Sequence, residues 1–247
     1  MTVAAPALAL AVLLAAAAAY VAAAVRGRRP WPVARTASWL AGLACAAAAT
    51  IGPMRDMDLR VHMTGHLLLG MVAPLLLTLA APVTLALRAA PVPVARRLGR
   101  ALRTPPLRVL TDPFVATAID VGGLVLLYRS PLLMDAMHAP VLGAVVSLHV
   151  LLTGWLATAA VLAVDPAPHR RGVVARAAAL ALGMAVHDVL AKGLYAWPPA
   201  GFAHAEAGAQ LMYQGGTVVE LAVAALLWRQ WYRSRGTVRA AEAPVAG

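Results

Sequence analysis

The chain has one cysteine, Cys45, ten acidic residues against 21 basic ones, and only 13% charged residues over its 247 positions. A single cysteine excludes an intramolecular disulfide and any thiolate cluster. A soluble domain has about a quarter of its residues charged, so charge this sparse excludes ordinary packing in water. There is no internal repeat, low-complexity linker or nucleotide-binding glycine loop. Gly122-Gly123 and Gly215-Gly216 read instead as places where helices pack closely. Nothing has the pattern of a hydrolase or transferase site, and the protein is expected not to be an enzyme.

What the chain does have is apolar length. Hydrophobic residues make up 62% of it, and the mean hydropathy is +0.76. Apolar runs of about twenty residues, enough to cross roughly 30 Å of hydrocarbon as helix, fall near 6–25, 36–53, 63–87, 113–128, 139–164, 173–191 and 208–228. The expectation is an all-α, seven-helix transmembrane bundle over residues 1–236, with 237–247 a disordered cytoplasmic tail. Pro74 is expected to kink the third span. The first run lacks the positive charge that precedes a cleavable signal; Arg26, Arg28 and Arg29 follow it, so it is read as a membrane helix.

The excess of positive charge does not point to nucleic acid, because of where it sits. Arg26, Arg28, Arg29 and Arg35 follow the first span, and Arg88, Arg96, Arg97, Arg100, Arg103 and Arg108 follow the third. Arg170, Arg171 and Arg176 follow the fifth, and Arg229, Arg233, Arg235 and Arg239 the seventh. Positive loops stay in the cytoplasm, so this alternation predicts the N-terminus outside and the C-terminus inside.

Polar side chains inside such spans are costly unless paired or facing a cavity. His62 and His66 stand one helical turn apart at the outer end of the third span, where they share a face and can hold one ion together. The alternative is two interfacial histidines bonded to headgroups or loops. His149 lies roughly 16 Å down the fifth span, near the midplane; its alternative is a hydrogen bond to a neighbouring helix. His187 and Asp188 are adjacent, facing about 100° apart, and so are not read as one ligand set. Asp188 with Lys192 reads as an ion pair, and Met184 lies one turn before His187. Asp120 and Glu220 are deeper, either ligands or protonated packing residues. Six of nine methionines, Met54, Met57, Met63, Met134, Met137 and Met212, fall toward the outer face. Thioether and imidazole donors together suit copper(I).

The run "HMTGHLLLGMVAPLLLTLAAPVTLALR", then "DPAPHR", then "YQGGTVVE" with its glutamate four residues after the glycines, resembles the CtaG family of cytochrome c oxidase assembly factors. The resemblance extends from about Gly52 to Trp231. It implies a multi-pass protein of the bacterial plasma membrane that delivers or inserts copper during assembly of haem-copper oxidase. His62 and His66 match the family's "HMxxH" pair, His187 its span-six histidine, and Glu220 the glutamate after the paired glycines. Two departures stand out: Val145 where a histidine partner of His149 is expected, and no acidic residue among Leu211, Met212 and Tyr213.

The expected site is therefore a copper(I) position at the mouth of the third span. His62, His66 and His187 are its core, Met57 or Met63 an exchangeable donor, and His149 and Glu220 further candidates. Expected partners are the lipid bilayer, a cytochrome c oxidase subunit or another copper-receiving apo-protein, and an extracytoplasmic copper chaperone. Two other readings remain open: a b-type haem electron carrier, and a proton-coupled transporter using Asp120, His149 and Glu220.

Overall fold

The computed structural model describes residues 4–27 and 29–241, whose regular structure is helical. Helix α1 (Ala4–Arg26) packs on α2 (Val33–Ile51). The long third segment is composite: α3 (Leu59–Leu67), a π-helical turn (Leu68–Val72) and α4 (Ala73–Leu79). After a break, α5 (Pro82–Ala89) completes the segment. Short helices α6 (Val92–Ala101) and α7 (Pro105–Leu110) lead to α8 (Pro113–Arg129) and α9 (Leu132–His138). Long helices α10 (Pro140–Leu162), α11 (Val173–Ala196) and α12 (Ala205–Ala241) close the bundle. No strand occurs among the described residues, only an isolated bridge between Asp58 and Ala203. Residues 242–247, the end of the expected tail, lie outside the described residues.

Five helical segments are long and apolar enough to cross a membrane: Ala7–Arg26, Leu59–Ala89, Pro140–Leu162, Val173–Ala196 and Ala205–Ser234. A sixth is counted if α8 and α9, bent by 78°, form one broken span. The second expected span is a helix of 19 residues, but Arg35, Thr36 and Ser38 dilute its apolarity and it is not among the five.

The expected kink at Pro74 is a π turn just ahead of it. Pro74 has no N–H to offer the carbonyl of Gly70, and α10 closes over the same place, with Gly154 packed so tightly on that carbonyl that a Cβ there would collide with it. The break between α4 and α5 was not expected. Ala81 takes a left-handed conformation (φ 52°), which costs a non-glycine residue about 1–2 kcal/mol. Two contacts hold it. The Tyr20 hydroxyl donates to the carbonyl of Ala80 (2.7 Å), and Asp165 accepts from the N–H groups of Val83 and Thr84 (3.2 and 2.7 Å) at the start of α5. Tyr20 in turn stacks on Trp39 of α2, ring centroids 4.7 Å apart.

The π turn and the break let α3 and α4 run through the middle of the bundle, against α2, α10 and α12. The largest core cluster surrounds α3. It includes Leu59, Met63, Leu69, Leu124, Tyr128, Val150, Leu190, Leu194 and Met212, all buried.

Candidate metal centre

Four residues apart on α3, His62 and His66 share a face, and both are 1% exposed. Their surroundings differ. His62 Nε2 lies 3.0 Å from the hydroxyl of Tyr128 on α8, and its ring meets Phe202 edge-on at 5.5 Å. It lines a small cavity of about 20 Å³ with Met54, Met137 and Ser147, room for a single water. His66 also meets the Tyr128 ring edge-on, at 6.0 Å, but borders a different space. It lines a larger cavity of about 90 Å³ with Met71, Asp120, Met184, His187 and Glu220. The two histidines expected to grip one ion thus open onto separate spaces, and the near partner of His66 is His187, ring centroids 6.0 Å apart and nearly parallel.

The sequence explains why His187 sits there. On α12, Gly216 lacks a side chain, and a Cβ at that position would run into the His187 ring. Glu220 lies one turn further along the same face. The imidazole rests in the notch left by the glycine, with Glu220 Oε1 3.7 Å from its Nδ1. Gly70 lies beside His66 without such a notch: a Cβ there would stand 3.5 Å from the ring, in ordinary contact.

One ligand atom from each of His187, Asp188 and Glu220 lies within 4.8 Å of the other two. This corrects the expectation that adjacency keeps His187 and Asp188 out of one ligand set. A separation of 100° on one helix is no obstacle when the third group reaches in from a neighbouring helix. The expected Asp188–Lys192 ion pair is absent among the described residues; Lys192 Nζ sits over the ring of Tyr213 instead, 4.9 Å from its centroid.

The donor set fits a metal ion. Both ring nitrogens of His66 and of His187, Oδ1 of Asp188 and Oε2 of Glu220 are buried without a hydrogen-bond partner. Each such atom costs about 1–3 kcal/mol unless something pairs with it. Asp120, in contrast, is held by the hydroxyl of Thr153 at 3.0 Å.

Other expected site residues lie elsewhere. His149 is exposed on α10 and packs against the backbone of Gly123, where a Cβ would stand 2.5 Å from its Nε2. Met63 is fully buried in the core cluster. Met57 is exposed in the loop before α3, where with Met134 it covers Gly201. The methionines that line the cavity of His66 and His187 are Met71 and Met184. Met184 was legible one turn from His187. Met71 stands five residues after His66, off the usual stripe, and only the π turn brings it to the same cavity. Tyr128 carried no signal beyond its place at a span's end.

At the outer mouth, as the sequence orients the chain, Asp58 caps α3. It accepts from the N–H of Arg60 (3.0 Å), pairs with the Arg60 guanidinium (2.6 Å) and contacts His204 Nδ1 (3.0 Å). The hydrogen bond from Arg60 holds its carboxyl well below the usual carboxylate range.

Comparison with known proteins agrees with the sequence motifs. A family model for the cytochrome c oxidase caa3 assembly factor matches residues 18–234. An uncharacterized protein of Mycobacterium bovis is 33% identical over 150 residues, covering 57% of this chain and 23% of its own length. An uncharacterized protein of Mycobacterium leprae is 30% identical over 181 residues, 68% of this chain and 28% of its own length. The chain thus spans about a quarter of the length of these curated relatives. No solved structure matches it. With more than four-fifths of its residues inside the family match, the chain belongs to the cytochrome c oxidase caa3 assembly factor family, Caa3_CtaG.

Proposed function

We propose that the protein holds copper(I) as cargo between His66 and His187 and passes it to an apo-subunit during cytochrome c oxidase assembly. The observation that carries this reading is the pair of stacked, buried imidazoles with none of their four nitrogens hydrogen-bonded. Met71 and Met184 border the same space, and imidazole with thioether is a donor set suited to copper(I). Glu220 and Asp188 stand where a carboxylate would neutralise the ion or orient His187. His62, with Met54 and Met137 around the smaller cavity, stands between Asp58 and His66 along α3. The role is non-catalytic, since ligands that bind and release are all it requires.

In this reading α2 joins the apolar segments to give seven crossings, with the N-terminus outside and the arginine-rich loops in the cytoplasm of a bacterium. The partners are an oxidase subunit and an extracytoplasmic copper chaperone. A haem reading has less support: the cavity of about 90 Å³ is far below the roughly 300 Å³ at which cofactor pockets begin. The proton-relay reading loses a member, because His149 does not reach the cavity that Asp120 and Glu220 share.

The test is copper content of the purified full-length protein after exposure to copper(I). The His66→Ala/His187→Ala double variant should lose bound copper, while His149→Ala keeps it. Equal copper in parent and double variant would overturn the assignment.

A further inference from the structure

The arginines after α5 converge on a built surface. Arg96 and Arg100 of α6, with Arg103 in the turn behind it, face Pro166 and Pro168 of the α10–α11 loop across an open recess of about 370 Å³. Pro168 also borders a second recess of about 600 Å³, lined by Arg108, Arg170 and Arg171. All six guanidinium-bearing residues are exposed. Among the described residues only Arg171 has an acidic partner, Asp112 at 2.7 Å.

The same surface carries uncovered apolar groups. Helix α6 buries none of its residues, and Val92, Val94, Val109 and Leu110 are exposed beside the arginines. A short helix that leaves both its basic and its apolar residues uncovered belongs at the level of lipid headgroups. Its position agrees, since α6 starts three residues after the apolar segment Leu59–Ala89 ends.

We propose that this double recess binds the phosphate headgroup of an anionic phospholipid, such as phosphatidylglycerol, from the leaflet it faces. Guanidinium groups form paired hydrogen bonds to phosphate oxygens, and several around one recess supply a cage for them. Orienting the chain requires only that positive charge fall on one side of the membrane. It does not require distant segments to meet around one hollow, yet α6 and the α10–α11 loop are more than sixty residues apart in sequence. The loop is also fixed: Asp165, next to Pro166, accepts three hydrogen bonds from Val83 and Thr84. A bound headgroup would therefore clamp the loop that secures the break after α4.

The experiment titrates the purified full-length protein in neutral detergent with phosphatidylglycerol or phosphatidylcholine and counts bound lipid by native mass spectrometry. Phosphatidylglycerol should be retained in preference. The Arg96→Gln/Arg100→Gln/Arg103→Gln variant should lose about fivefold in affinity per charge removed. Arg26→Gln/Arg29→Gln/Arg229→Gln, which removes equal charge elsewhere, should lose much less. An Arg96→Lys/Arg100→Lys/Arg103→Lys variant preserves charge and orientation, and should bind between the parent and the glutamine triple. Equal retention of phosphatidylcholine, or equal loss in both glutamine variants, would overturn the proposal. So would binding of polyglutamate with no lipid retained, which would assign the surface to an acidic protein.

Discussion

Gly216 matters because of what it leaves out. His187 occupies the space that a side chain at 216 would fill, and Glu220 is positioned one turn further along. A single methyl group there should push the imidazole off both Glu220 and His66. Gly216→Ala is therefore expected to weaken copper(I) binding about 10–100-fold, the range seen when groups that orient a ligand are lost. Competition with a copper(I) chelator measures this. Gly122→Ala is the control, since nothing lies within 4 Å of the Cβ it would add; equal weakening in both would mean the notch does not position the ring. The members of the candidate site are conspicuous in the sequence at this scale, as imidazoles and carboxylates in apolar runs. Their pairing is not. Which of His62 and His187 accompanies His66 depends on how α3 is turned against α8 and α11, and a stripe on one helix does not record that.

Among the elements, the apolar runs marked the helices well, since a continuous apolar stretch has one solution in hydrocarbon. They did not mark the interruptions inside the third run. The break at Ala81 uses neither glycine nor a polar cluster; its partners Tyr20 and Asp165 lie about 60 and 80 residues away in sequence. The start of α3 was hidden for a similar reason. Asp58 joins Arg60 on its own helix to His204 ahead of α12, and the Asp58–Ala203 bridge reinforces the join. Because Asp58 is held below its ordinary range in the folded protein, its contribution to stability is present above the unfolded carboxylate value. It is lost as pH falls through the folded one. The difference in unfolding temperature between the parent and Asp58→Asn should hold near neutrality and shrink below about pH 4. A difference unchanged in acid would show that the charge of Asp58 is not what joins the two helices.

For the whole molecule, the distribution of arginine sets the expectation that matters most. A reporter fused after Gly236 should be active only in the cytoplasm, and one inserted between Met54 and Arg60 only outside; a cytoplasmic signal from the second would reverse the direction of copper entry proposed above. Thickness is the remaining variable. Helix α8 has 17 residues before the chain turns through 78° into α9, a rise of roughly 25 Å against roughly 30 Å of hydrocarbon. A bilayer accommodates such a shortfall by thinning, at a fraction of a kcal/mol per Å. Lipids with short acyl chains should gather beside α8, the helix that brings Asp120 to the cavity. Thinning of this kind would bring the polar boundary closer to the interior of the bundle. Under the copper role proposed above, an ion leaving His66 and His187 beside α8 would have less hydrocarbon to cross, and that flank is where the proposed oxidase partner would dock.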